Sequence, residues 1–140
     1  MLSQTAESAL RAVLYVAARG DDAELVKIDE IAAELELPRN SLSKTLHALA
    51  RAGVLASVRG PAGGFRLAVP AEALPLARVV APFDTVGQGR QCLLGRPTCS
   101  DDGACAAHAG WKAVSEQLRA FFQETTVAEL LQRGVGAGAI

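Results

Sequence analysis

Residues 37–69 read LPRNSLSKTLHALARAGVLASVRGPAGGFRLAV, and the fold turns on this stretch. Pro38 suits the first turn of a helix, where its missing N–H is not needed. Beyond it Leu42, Leu46, Leu49 and Ala50 recur at helical spacing, while Arg39, Asn40, Ser43, Lys44 and His47 take the other face. This predicts a helix over residues 38–53. Then the period changes. Val54, Leu55 and Val58 on one side, and Phe65, Leu67 and Val69 on the other, flank Arg59-Gly60-Pro61-Ala62-Gly63-Gly64. That pattern predicts a hairpin with a glycine-rich tip over residues 54–69.

Working outward, Ile28, Ile31, Ala32 and Leu35 mark a shorter helix just upstream. Two short helices joined by a turn of about three residues fit helix-turn-helix geometry, and the hairpin makes a wing. Ala6, Ala9, Leu10, Val13, Leu14 and Ala17 trace an amphipathic first helix, with Gly20 as its stop. The expected class is mainly α: a winged helix-turn-helix over residues 1–70.

Charge is distributed unevenly in a chain whose net charge is only −1. Residues 20–36 carry Asp21, Asp22, Glu24, Asp29, Glu30, Glu34 and Glu36 against Lys27 alone. From Leu37 to Ala71 there is no acid, and Arg39, Lys44, Arg51, Arg59 and Arg66 stand there with His47. A basic block in a neutral chain is a footprint for a polyanion. A helix entering the major groove must expose hydrogen-bonding side chains at its N-terminal end. Arg39 can pair with guanine and Asn40 with adenine, while Ser43 and Lys44 can take base edges or phosphate. Arg59 and Arg66 put cations on the wing. Thr45 and His47, further along, are expected to face the DNA backbone or solvent.

Downstream, Leu76, Val79 and Val80 suggest a short helix, and residues 84–104 look irregular. Trp111, Val114, Leu118, Phe121 and Thr125 recur at alternating spacings of three and four, on a long helix beginning near Cys105. A stripe of that kind suits a dimer interface. Residues 127–133 can add one or two further turns. The expected division is residues 1–70 for DNA binding, 71–104 for a linker helix and a cysteine-bearing sensor loop, 105–133 for the dimerisation helix and a short C-terminal helix, and 134–140 for a flexible tail.

The three cysteines, Cys92, Cys99 and Cys105, all lie in or beside the irregular segment, with His108 three residues on. An odd, clustered set points to metal or redox chemistry rather than structural disulfides. Thiolates bind both iron–sulfur clusters and zinc, and a reduced thiol or thiol–disulfide switch is the metal-free alternative. Asp101 and Asp102 lie between Cys99 and Cys105, where like charge would disfavour a thiolate. On a helix Cys105 and His108 would share a face.

No run approaches the roughly 18 apolar residues of a membrane span, and no basic-then-apolar start suggests a signal peptide. The expectation is a cytoplasmic protein. No acid–base pair or nucleophile constellation is visible, and Gly60 to Gly64 lacks the Walker pattern. An enzyme is not expected.

The segment VRGPAGGFRLAVP, Val58 to Pro70, resembles the wing signature of the Rrf2 family of bacterial repressors. ESALRAVLYVA and IDEIAAELELPRNSLSKTLHALARAGVL are similar to its first helix and helix-turn-helix. The resemblance covers about residues 2–131. It implies a homodimer on operator DNA, joined through the long C-terminal helix. It also implies an iron–sulfur cluster on Cys92, Cys99 and Cys105, since sensing members carry three cysteines at this place. His108, as in IscR-like members, would complete a 2Fe-2S centre. Glu7 from the partner subunit, as in NsrR-like members, would complete a 4Fe-4S one. The regulator without a cluster, responding through thiol oxidation or a small-molecule effector, is the alternative.

Overall fold

The computed structural model describes residues 2–19, 24–87 and 91–133. Gly20 as a helix stop, the acids Asp21 and Asp22, and the tail at 134–140 lie outside the described residues. Helix α1, Gln4–Ala18, starts at Ser3, whose hydroxyl accepts the Ala6 N–H. Such a cap satisfies one of the open donors at a helix start. Its buried face is Ala6, Ala9, Ala12, Val13 and Val16, with Leu10, Leu14 and Ala17 only half-buried. Small alanines let other helices approach closely, so the face is rotated slightly from the expected stripe.

Helix α2, Ile28–Leu35, buries Ile31 and Leu35. It ends on Glu36 at φ 52°, a left-handed conformation that few non-glycine residues adopt. The guanidinium of Arg11 donates to the Leu35 carbonyl at 2.9 Å, placing a cation at the negative end of α2. Helix α3, Arg39–Arg51, follows with Pro38 as its N-cap. It buries Leu42, Thr45, Leu46 and Leu49. Thr45 is thus a correction: its hydroxyl donates to the Ser41 carbonyl at 3.1 Å, facing inward rather than toward DNA or solvent.

Strands β1, Leu55–Val58, and β2, Gly64–Leu67, pair antiparallel with Ser57 opposite Phe65. Val26 adds a rung beside β2: its N–H and carbonyl exchange hydrogen bonds of 2.8 Å with Phe65. The wing is therefore anchored to the segment before α2.

A turn of 3-10 helix at Ala71–Ala73 leads to α4, Leu76–Val80, almost wholly buried. Helix α5 spans His108–Glu124 and packs against α4. It begins three residues later than expected, because Cys105 stays in the preceding turn with its carbonyl accepting the His108 N–H. Cys105 and His108 therefore do not share a helix face. Helix α6, Val127–Gln132, opens on a capping box between Thr126 and Glu129 and packs on α1. The Leu76 N–H donates to the Thr125 carbonyl and the Val127 N–H to that of Leu74, both at 2.9 Å. The end of the chain is thereby stitched beside the segment leaving the wing. One core holds α1 to α4, the wing base, Phe122 and Val127 together. Among the described residues no helix is long and apolar enough to cross a membrane.

Candidate functional site

Two sites emerge. The first is the exposed surface of α3 with the wing. Arg39, Asn40, Lys44 and His47 are exposed, and Ser43 is half-buried. The hairpin tip closes through the Gly63 N–H donating to the Gly60 carbonyl, with Gly60 at φ 105°. A side chain on Gly64 would lie 2.7 Å from the Val26 carbonyl oxygen, so glycine is what lets the wing seat against Val26. Arg59 and Arg66 are exposed on the hairpin. The His47 ring tilts against Phe65 at 5.6 Å between centroids, joining helix to wing.

Between α3 and the wing lies an open cleft of about 530 Å³. Lys27, Arg39, His47, Arg51 and Arg59 line it, and Asp29 is the one acid in that lining. Asp29 accepts a hydrogen bond from Arg39 Nε at 2.5 Å. Sequence reading passed over Asp29, since ten residues of separation across a turn carry no local signal.

The second site is the cysteine loop and the start of α5. None of the three cysteines is in a disulfide, and each is half-buried. Backbone N–H donors aimed at the sulfur, that of Arg96 first and that of Leu94 also, hold the Cys92 thiol below its ordinary value. The Cys105 side chain and the Arg96 charge add to this. Cys99 Sγ lies 3.6 Å from Nδ1 of His108, which is buried. The other ring nitrogen, Nε2, is 2.8 Å from Asp101 Oδ1. A carboxylate only accepts, so Nε2 is the donor and carries the proton. Asp101 also takes Lys112 Nζ at 3.1 Å on both oxygens. The hydrogen bond from His108, then that from Lys112, holds its carboxyl below the usual range.

Asp101 therefore faces His108, not a thiol, and its charge supports the imidazole. Its role and that of Lys112 were missed because both depend on the loop folding back onto α5. Trp111 reinforces this by donating its indole N–H to the Gln91 carbonyl. Cys99 meets His108, and the Cys105 side chain is among the groups that lower the Cys92 thiol. Among the described residues no three His, Cys, Asp or Glu side chains converge at metal-binding distance. Glu7, exposed on the first turn of α1, lines a groove with Arg11, Pro38 and Ser41.

The outer face of α5 is open. Val114 and Phe121 are 49% and 47% exposed. Trp111 and Leu118 are half-buried, while Phe122 turns inward.

Comparison with known proteins places these features. The Rrf2 family, described as an iron-dependent transcriptional regulator, matches residues 2–133. A protein of Aquifex aeolicus assigned as an HTH-type transcriptional regulator is 35% identical over 133 residues, covering 94% of this chain and 91% of its own. The HTH-type transcriptional regulator IscR of Vibrio atlanticus is 29% identical over 131 residues, covering 94% and 75%. CymR, the global cysteine regulator of B. subtilis, shares the fold: the TM-score is 0.78 at 17% identity, over 96% of this chain and 98% of that one. These relatives regulate transcription and are not enzymes. With a winged helix whose basic side chains face outward, and a family match running from end to end of the described chain, this protein belongs to the Rrf2 family of DNA-binding transcriptional regulators.

Proposed function

We propose that this regulator is a dimeric repressor whose DNA affinity is set by an iron–sulfur cluster, sensing redox state, nitric oxide or iron–sulfur status. The observation that carries the reading is the packing of the cysteine loop on α5: Cys99 and His108 are in contact, and Asp101 holds the ring. The donor set fits in its chemistry, since three thiols and an imidazole are iron–sulfur ligands. The candidate ligands are Cys92, Cys99, Cys105 and His108, or Glu7 of the partner subunit in place of His108. When bound, such a centre supplies bonds across the loop that oxidants, nitric oxide or iron loss can break.

The protein's own residues carry the response. Trp111 and Lys112 tie the loop to α5, and the exposed Val114 and Phe121 face the second copy. A loop that tightens or loosens there shifts one protomer against the other. Two half-sites must be met at once, so a small rotation changes affinity. Residues 1–70 form the output, with Arg39, Asn40, Ser43, Lys44, Arg59 and Arg66 on the DNA. Residues 71–104 carry the sensor, and 105–133 join the dimer. The site of action is cytoplasmic DNA.

Anaerobic purification with absorption spectra, iron and sulfide analysis, and operator binding before and after cluster removal tests the reading. Visible charge-transfer bands and a change in affinity are expected; fresh protein with neither iron nor sulfide would end it. A cluster-free thiol regulator is the second reading. The lowered Cys92 thiol, with the Cys105 side chain among its causes, favours it. Iron- and sulfide-free protein whose operator binding still responds to oxidant, with that response lost in a Cys92→Ala, Cys99→Ala, Cys105→Ala triple variant, decides for it.

A further inference from the structure

We infer that Asp29 is a positioning residue for base recognition: it holds Arg39 by Nε so that the guanidinium presents its Nη edge to a guanine. The inference rests on Arg39 being a base contact, as proposed above. Asp29 belongs to the first turn of α2, not to the helix that meets DNA. Its carboxylate nonetheless reaches across to Arg39 Nε at 2.5 Å, at the rim of the cleft between α3 and the wing.

The pair is out of place as a stability device. The two side chains are 59% and 73% exposed, and ion pairs so exposed contribute little to folding. An acid in a cleft lined by Lys27, Arg51 and Arg59 also opposes phosphate. Both features make sense if recognition is what the pair serves. A guanidinium has five donors in one plane. Committing Nε to Asp29 restrains the plane and leaves the parallel Nη donors, the fork that matches guanine O6 and N7. The same carboxylate weakens sequence-independent binding by repelling the backbone, which widens the gap between right and wrong sites.

The test selects from a pool of duplexes with randomised sequence, using the intact dimer at physiological ionic strength. Four proteins are compared: wild type, Arg39→Ala, Asp29→Ala and Asp29→Asn. The wild type is expected to prefer a guanine that Arg39→Ala no longer selects. Asp29→Ala should lose roughly tenfold of that preference while binding random duplex as well as or better than wild type. Asp29→Asn keeps an oxygen that accepts from Nε, so it should retain the base preference and still gain random-duplex affinity. Adding Asp29→Ala to Arg39→Ala should cost no further preference. A guanine preference intact in Asp29→Ala, or a lowered melting temperature with an unchanged base profile, overturns the inference alone. If Arg39→Ala selects the same sequences as wild type, the assignment of Arg39 as a base contact falls first, and this inference with it.

Discussion

Cys99 Sγ faces Nδ1 of His108 across 3.6 Å, and the proton on the far ring nitrogen is held by a carboxylate. The orientation of the ring is thus set from behind. A partner of this kind typically contributes 10–100-fold, roughly, to the metal affinity of the ligand it orients. On the cluster reading, Asp101→Ala should lower iron retention by about that factor in a chelator competition, with the fold intact by circular dichroism. Retention equal to wild type would remove His108 from the ligand set or Asp101 from its support.

The wing's seat on Val26 gives a steric prediction. Gly64→Ala would push a methyl group against the Val26 carbonyl and should cost about 1–3 kcal/mol. DNA affinity should fall with it, because the hairpin must lift. Gly110, inside α5 with nothing near its added methyl, is the contrast: Gly110→Ala should stabilise by about 0.4–1 kcal/mol. Urea unfolding midpoints of both variants check the pair of signs.

The exposed stripe on α5 predicts a change of assembly. On the proposed dimer through α5, a Val114→Glu, Phe121→Glu double variant should weaken dimerisation by roughly 2 kcal/mol or more, while the single chain stays folded since both side chains point outward. Light scattering behind a sizing column reads this directly. A dimer of unchanged stability would move the interface elsewhere.

Asp84 gives a pH dependence. Its carboxylate accepts the Ser3 N–H at 2.9 Å and the Val86 N–H at 3.2 Å, and the bond from Ser3 is the main cause of its lowered pKa. A depressed folded-state pKa means the group stabilises above its unfolded value, near 3.9, and that this stability is lost as pH falls through the folded value. Asp84→Asn should therefore cost about 1–2 kcal/mol at neutral pH. Its unfolding midpoints should also decline less than those of wild type as the solution is acidified below about pH 4. Parallel acid limbs would show that Asp84 contributes nothing to the pH dependence.

Much of this architecture was readable in advance where local spacing encodes it. Leu42, Leu46 and Leu49 give α3 by their period, and the glycines at 60, 63 and 64 give the hairpin. What escaped depends on contacts between distant residues. The Val26 rung is one residue pairing with a strand far along the chain, with no pattern of its own. Glu36 adopts a conformation its residue type does not advertise. Thr45 looks polar in sequence, yet a hydroxyl bonded to its own helix buries readily. At the cysteine loop, the residues were legible but not their contacts. Nothing in the gaps between cysteines tells that Cys99, rather than Cys105, meets His108, nor that Asp101 turns to the imidazole.

The stitching of Leu74 and Leu76 to Thr125 and Val127 bears on the order in which the molecule is made. Helix α1 leaves the ribosome well before α6, the helix that packs on it. The winged helix therefore waits for the cysteine loop and α5 before its own interior is closed. Contacts so distant along the chain slow folding. A polypeptide cut short before Thr126 lacks Val127 and with it part of that core, so it should fold less stably than the longer chain.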